Sequence, residues 1–252
     1  MQKVFTFSVS FVCVLALTGV SRASVVAHWS FDSNFNDSSG NANDLTTAVG
    51  TPNITNVAAE TAFGGGALNL THTDNEYLSL SSPLVFGAAD AWSVSFWAQR
   101  NATSDAGMVI GNAGVRNSFI WTTEAFNGMR FRPQSSSSAS NDFTAPKDFS
   151  FHHYVMVADG TGQLSLYVDN GAPETKTSAT GGTSFTVNAV GYAYDNTNYT
   201  FGGQIDEIYV FDEAIDASIV SSLFSSNAIP EPASAALLAL GGCLLIRRRR
   251  RA

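Results

Sequence analysis

The sequence predicts an all-β protein, a sandwich or barrel of many short antiparallel strands. Three observations carry that prediction. Apolar and aromatic residues recur in short runs, some alternating with polar residues at the period of two that a half-buried strand requires. Turn signals such as Asp159-Gly160 and Asp169-Asn170-Gly171 separate the runs at short intervals. Helical periodicity is confined to Asp216–Phe224, where Asp216 can cap and Ile219, Val220 and Leu223 form one apolar side.

Taken in order, Val25–Phe31 is a strand rich in β-branched and aromatic residues, and the Asn, Asp, Ser and Gly of 32–44 follow as a long turn region. Leu68 and Leu70, then Tyr77, Leu78 and Leu80, mark two strands around a turn over 71–76. Trp92–Gln99 alternates, with Trp92, Val94, Phe96 and Ala98 on one side and Ser93, Ser95, Trp97 and Gln99 on the other, so one buried face is expected. Further strands are expected over 107–111, 118–122, 129–132, 152–158, 163–169, 184–190 and 204–211. Tyr154–Ala158 and Leu164–Val168, joined by Asp159-Gly160-Thr161-Gly162, form a hairpin. The serines at 135–138 read as a flexible exposed loop. Trp29, Trp92, Phe96 and Tyr154 are the firmest core residues.

The two ends have a different chemistry. Residues 1–23 carry Lys3, an apolar stretch from Phe11 to Val20, and Ser21-Arg22-Ala23 before Ser24, the three parts of a secretory signal peptide read by signal peptidase. Residues 229–252 carry Pro230-Glu231-Pro232, a largely apolar run of 14 residues from Ala233 to Ile246, and Arg247, Arg248, Arg249, Arg250 and Arg251. As a helix the apolar run would span about 21 Å, against a hydrocarbon core of about 30 Å. The arginines hold that end on the cytoplasmic side. The segment is therefore either a weak C-terminal anchor or a membrane-targeting helix held briefly at the membrane and then cut.

Of the 13 basic residues, two lie in the signal segment and five in the tail, leaving six against 21 acidic residues between Ser24 and Ile246, a net of −15. Recognition of nucleic acid by a basic patch is excluded on that balance. Such a surface is soluble, repels anionic polymers and can hold calcium. Both cysteines, Cys13 and Cys243, fall in the apolar ends, so residues 24–226, read as one domain, have no disulfide, thiolate nucleophile or zinc–thiolate site. About 200 residues suffice to bury a core without such staples.

Two resemblances follow from these residues. Pro230-Glu231-Pro232, the apolar run and the arginine cluster resemble the PEP-CTERM sorting signal of exopolysaccharide-producing Gram-negative bacteria, which implies handling by an exosortase during export to the cell surface or extracellular matrix. Val26-Ala-His-Trp-Ser-Phe-Asp32 with Asn36–Leu45, Phe63-Gly-Gly-Gly-Ala-Leu-Asn-Leu70, Ala91–Trp97, Phe151-His-His-Tyr154 with Leu164–Asp169, and Gly202–Phe211 resemble, in order, the signatures of laminin-G-like, concanavalin-A-like domains. The implied fold is a two-sheet antiparallel jelly-roll sandwich, which hosts lectins, adhesive modules and glycanases alike.

Retaining glycanases of that architecture carry E-x-D-x-E or E-x-D-x-x-E on one strand. Here Gln204 stands in the first acid's place and Ile208 or Tyr209 in the second's, while Asp206 and Glu207 point to opposite faces if the strand is regular. No catalytic residue is expected. His28, His72, His152 and His153 form no zinc motif, and His152 and His153 at a strand start read as structural. Asp32, Asp37 and Asp44, with Asn36, are candidate ligands for a structural calcium, the alternative being an Asx-rich turn. Trp121, Phe126, Tyr192, Tyr194 and Tyr199, in or near loops, are candidates for stacking on sugar rings. The expected function is a non-enzymatic exported module that binds extracellular polysaccharide; the alternative is a protein–protein adhesion module.

Overall fold

The computed structural model describes residues 24–101, 106–123, 128–195 and 199–229. The expected signal peptide over 1–23, the residues Pro230, Glu231, Pro232 and Arg247–Arg251 expected to form a sorting signal, and Phe126 lie outside the described residues. No helix among the described residues is long and apolar enough to cross a membrane.

Among the described residues, fifteen strands and one α-helix follow in order. The first five are β1 (Val25–Trp29), β2 (Leu45–Val49), β3 (Asn53–Thr55), β4 (Ala67–Leu70) and β5 (Tyr77–Phe86). Next come β6 (Ala91–Arg100), β7 (Ala106–Gly111), β8 (Phe119–Thr123), β9 (Gly128–Arg132) and β10 (Asn141–Thr144). The chain continues through β11 (His152–Asp159), β12 (Gln163–Val168), β13 (Glu174–Thr177), β14 (Phe185–Val190) and β15 (Gly203–Phe211) to α1 (Ala217–Ser226). One sheet runs β13-β12-β11-β6-β15-β4-β3, with β1 added along the other end of β15; the second runs β10-β9-β8-β7-β14-β5-β2. All named strand pairs are antiparallel, and the two sheets make the jelly-roll sandwich that the signatures imply.

The core between the sheets takes alternate residues of the central strands. Trp29, Trp92, Phe96, Phe131, Phe143, Phe185 and Ile205 are all essentially inaccessible there. The indoles of Trp29 and Trp92 donate to the carbonyls of Asn43 (2.8 Å) and Thr183 (2.7 Å), so neither buries an unpaired N–H. Tyr154 also lies in the core, and the 154–158/164–168 hairpin forms in the register expected. Along one seam, side chains join the sheet edges: Glu174 accepts from the Thr144 amide, Asn141 from the Ala179 amide, and the Lys176 ammonium donates to the Asp142 carbonyl.

Two expectations need correction. β6 has two buried faces, not one: Ser93 and Ser95 are as inaccessible as Val94 and Phe96. The second face is covered by α1 and the segment leading to it, where Val155, Val157, Tyr209, Phe211, Ile215, Val220 and Leu223 form a separate apolar cluster. Trp97 stacks on Phe224 of α1 with ring centroids 5.5 Å apart, and Ser93 Oγ donates to the Glu213 carbonyl. Asp216 does cap α1, accepting from the amides of Ser218 and Ile219, and Asn227 closes it in the left-handed region at φ +48°.

The second correction concerns β15, which is not regular. Its pairing with β6 slips between Asp206 and Tyr209, where Glu207 takes φ +50°, a bulge with one extra residue. Strands β2, β3, β10 and β13 carry no alternation strong enough to read in advance; they are short edge or near-edge strands with Thr, Asn and charged residues facing solvent. Of the Phe63-Gly-Gly-Gly signature, Gly66 has a steric reason: a Cβ there would stand 2.5 Å from the Phe31 carbonyl oxygen.

Candidate functional site

The outer face of the seven-stranded sheet holds an aromatic cluster. On β8 and β9 alternation sends Ile120, Met129 and Phe131 into the sandwich core, leaving Phe119, Trp121, Arg130 and Arg132 on the far side. Phe119 faces Arg132 and Trp121 faces Arg130 across the ladder. The segment following β14 brings Tyr194 and Tyr199 onto this face. Ring centroids lie 5.3 Å apart for Trp121–Tyr199, 5.4 Å for Tyr194–Tyr199, 5.9 Å for Phe119–Tyr194 and 6.0 Å for Phe119–Trp121, most of them edge-to-face.

Guanidinium groups cover much of this surface. Arg130 lies over the Trp121 ring at 5.8 Å, Arg132 over Phe119 at 4.9 Å, and both Arg116 (5.8 Å) and Arg132 (5.9 Å) over Tyr194. Three of the six basic residues in the acidic region thus gather on one face. Each is engaged. Arg130 makes a two-pronged pair with Asp142 (2.6 and 3.0 Å), and Arg116 Nε donates to Asp195 (2.7 Å). Arg132 donates to Ser140 Oγ and to the carbonyls of Arg116 and Ser137.

Tyr194 is held in an unusual backbone conformation. Its φ is +113°, a region that side-chain-bearing residues rarely adopt. Its carbonyl accepts from the Gly114 amide at 2.7 Å, its amide donates to the Asn112 carbonyl, and it bridges to Ala113. The neighbouring loop therefore enforces the conformation.

Of the loop aromatics expected to meet a ligand, Trp121, Tyr194 and Tyr199 come together. Tyr192 does not: it is buried against Tyr77, centroids 4.9 Å apart, and burial raises its phenol pKa. Trp121 is 8% exposed with Arg130 above it, so it supports the cluster from beneath, while the half-buried Tyr194 and Tyr199 offer surface. The arginines and Asp195 escaped sequence reasoning, although Met129-Arg-Phe-Arg132 alternates visibly.

The candidate calcium loop uses its carboxylates locally. Asp37 accepts from the amides of His28 (2.9 Å), Ser39 (2.8 Å) and Asn43 (3.0 Å), and although burial opposes it, these bonds hold its pKa below the usual value. Asp44 accepts from the Asp37 amide and Asp32 from the Gly65 amide. Among the described residues no group of three His, Cys, Asp or Glu side chains converges as metal ligands would. The bonds observed are those of the Asx-rich turn that was the alternative reading of this loop.

The bulge in β15 places Asp206 and Glu207 on the same outer face, not on opposite faces. Asp206 Oδ2 accepts from the amides of Ala62 (2.8 Å) and Phe63 (3.1 Å), and Oδ1 has no partner. Burial pushes its pKa up to about 7 against those two bonds, with Glu207 adding to the rise. Glu207 pairs with His28 at 2.6 Å, and the His28 ring stacks on Tyr209 at 3.8 Å. Both carboxyls are shielded, Asp206 fully and Glu207 to 3% exposure. The two strand-start histidines have structural settings: His152 lies between Asp169 (2.6 Å) and Asp148 (2.9 Å), and buried His153 meets Ser95 Oγ (2.8 Å).

Together these features define an antiparallel β-sandwich with an aromatic–arginine patch on one outer face. The chain belongs to the Laminin_G_3 family of the concanavalin A-like lectin/glucanases superfamily, whose model matches residues 72–221, more than half of its length. Comparison with curated proteins finds no match. Among solved structures, it is similar to domain 4 of AbnA, a GH43 extracellular arabinanase from Geobacillus stearothermophilus in complex with arabinotriose: 20% identity, TM-score 0.62, covering 81% of this chain and 100% of that one. It is similar to the binding domain of Paraclostridial Mosquitocidal Protein 1 at 16% identity and TM-score 0.63, covering 81% of this chain and 52% of the other. The binding domain of botulinum neurotoxin DC, in complex with rat synaptotagmin II, follows at 14% and 0.58, covering 81% and 51%. The chain thus spans about half the length of these toxin binding domains. At such identities the likeness is one of fold.

Proposed function

We propose that this protein is an exported, non-catalytic binding module that associates with extracellular polysaccharide through the aromatic–arginine patch. The single observation that supports the reading best is the convergence of Tyr194, Tyr199, Trp121 and Phe119 with three arginines on one outer sheet face. Aromatic surface matches the apolar faces of sugar rings, and guanidinium–carboxylate pairs beside it match hydroxyls. The arabinotriose bound to the AbnA domain supports it by analogy of fold. Binding without catalysis fits the state of the only acidic pair in glycanase-like sequence context, since Asp206 and Glu207 are shielded and hydrogen-bonded to the protein. The resemblances at the two ends support export through signal peptidase and handling by an exosortase at the inner membrane before release to the cell surface or matrix.

A polysaccharide microarray probed with the full chain tests the binding, and signal above a Trp121→Ala, Tyr199→Ala control is expected. Absence of binding to any glycan would end the reading. Mass spectrometry of exported protein tests the processing: the expected C-terminus lies near Pro230–Pro232, and material retaining Arg247–Arg251 would refute cleavage.

A second reading, protein–protein adhesion, is favoured by a different observation. Opposite the joined seam, a groove of about 480 Å³ opens between β1 and β5, lined by Val26, Leu84, Val85, Phe86, Asp90 and Asp212. Val85 is 63% exposed there. Capture of a protein partner that is lost in Val85→Asp, with no glycan binding, would select this reading.

A further inference from the structure

Resting on the polysaccharide reading, we infer that the ligand contact is the corner formed by Tyr194, Arg116 and Asp195, and that this corner selects neutral, hydroxyl-rich glycans over uronate polymers. The corner is the exposed end of the patch: side-chain exposure is 63% for Arg116 and 35% for Asp195, against 14% for Arg130 deeper in the face. It presents Arg116 Nε joined to Asp195 Oδ2 at 2.7 Å, with the guanidinium 5.8 Å from the Tyr194 ring centroid.

Charge decides the class of sugar. A site for carboxylated sugars needs cations without a resident counter-ion. Here Arg116 is matched by Asp195 and Arg130 by Asp142, while Arg132 is committed to Ser140 and two carbonyls. A uronate would have to displace a carboxylate already in place, within a domain whose acidic excess repels polyanions at long range. A neutral sugar meets no such obstacle. Vicinal hydroxyls both donate and accept, and an arginine–carboxylate pair supplies acceptors and donors side by side.

Tyr194 is a second, independent observation at the same corner. A residue other than glycine held at φ +113° is strained and persists only where its surroundings enforce it, a circumstance concentrated at ligand sites. The conformation seats the phenol ring between Phe119 and Tyr199 under Arg116. The residue is placed for its side chain, since glycine would suit the backbone better.

The test uses the full chain on a microarray of neutral polysaccharides (arabinan, galactan, dextran, mannan) and uronate polymers (polygalacturonate, alginate), at low and high salt. Binding to neutral polymers that changes little with salt is expected, and Asp195→Asn should weaken it about tenfold or more while gaining salt-sensitive binding to uronates. Tyr194→Gly should abolish neutral-polymer binding and keep a cooperative thermal transition. Salt-sensitive binding of the unaltered chain to uronates alone would overturn the inference and keep the polysaccharide reading; binding to no polymer would end both. Should Tyr194→Gly fail to fold, the exposed Asp195→Asn decides: unchanged neutral binding overturns the corner.

Discussion

Asp206 and Glu207 are sequence neighbours whose carboxyl groups share one face of β15, because Glu207 adopts φ +50° and adds a residue to the strand at that point. The arrangement buries a carboxyl beside a second acid, where it accepts from the amides of Ala62 and Phe63. This makes Asp206 a titrating element of the fold, on the other sheet from the aromatic–arginine patch.

Its effect on stability has a definite sign. The folded carboxyl keeps its proton to about pH 7, whereas the ordinary value is 3.8. The folded state therefore binds more protons than the unfolded one across that window, and stability is lost as pH rises through it, by on the order of 4 kcal/mol. Asp206→Asn mimics the protonated acid and removes the slope. Urea unfolding should show the variant gaining on the wild type between about pH 4.5 and about pH 7.5; a constant difference would contradict the buried-carboxyl account.

His153 opposes Asp206. Burial pushes its pKa from 6.5 down to about 4, so its contribution is present above the higher value and lost as pH falls through the lower. In the wild type the two slopes offset each other over the mildly acidic range. Asp206→Asn should therefore expose an acid-side loss of stability that the wild type masks, visible as a falling melting temperature below about pH 6.

His152 behaves in the contrary sense to His153. Burial would lower its pKa, but hydrogen bonds to Asp169 and Asp148 outweigh this and raise it. Stability from the imidazolium is then present at mildly acid pH and lost as pH rises through the folded value. With Asp148 largely exposed, the pair is worth at most about 1 kcal/mol. His152→Gln should lose stability relative to wild type at about pH 6 and much less at about pH 9, by the same urea assay.

Asp216→Ala removes the acceptor for the Ser218 and Ile219 amides. It should cost about 1 kcal/mol and loosen the cover that α1 provides over Trp97, read as a red shift of tryptophan emission. Glycan binding should be unchanged, since the patch lies on the other sheet.

Chelation provides a further check. With the Asp37 oxygens already accepting three backbone amides, EDTA should leave the melting temperature unchanged and added calcium should not raise it. A calcium-dependent rise, abolished by Asp37→Asn, would require another arrangement of the 32–44 loop.

Much of the fold was legible because alternation is a local property. Trp92–Gln99, the 154–168 hairpin, the core tryptophans and the Asp216 cap could be read directly, since their patterns are set by which side chains face inward. Strands β2, β3, β10 and β13 could not, because strands of three to five residues with at most two buried positions are too short to leave a readable pattern. The site was half legible. Trp121, Tyr194 and Tyr199 were recognisable as loop-associated aromatics, but nothing local distinguishes them from Tyr192, which turns inward against Tyr77.

By itself the sequence determined the class of fold, the acidic balance and the absence of cysteine chemistry between the two apolar ends. Tertiary structure alone decided which aromatics meet, that three of six basic residues gather beside them, and that Asp206 and Glu207 share a face. The reason is physical: pattern and composition are sums over near neighbours, whereas the Arg116–Asp195 pair joins residues 79 positions apart. Such a meeting depends on ladder register and on one left-handed residue, quantities that no local pattern contains.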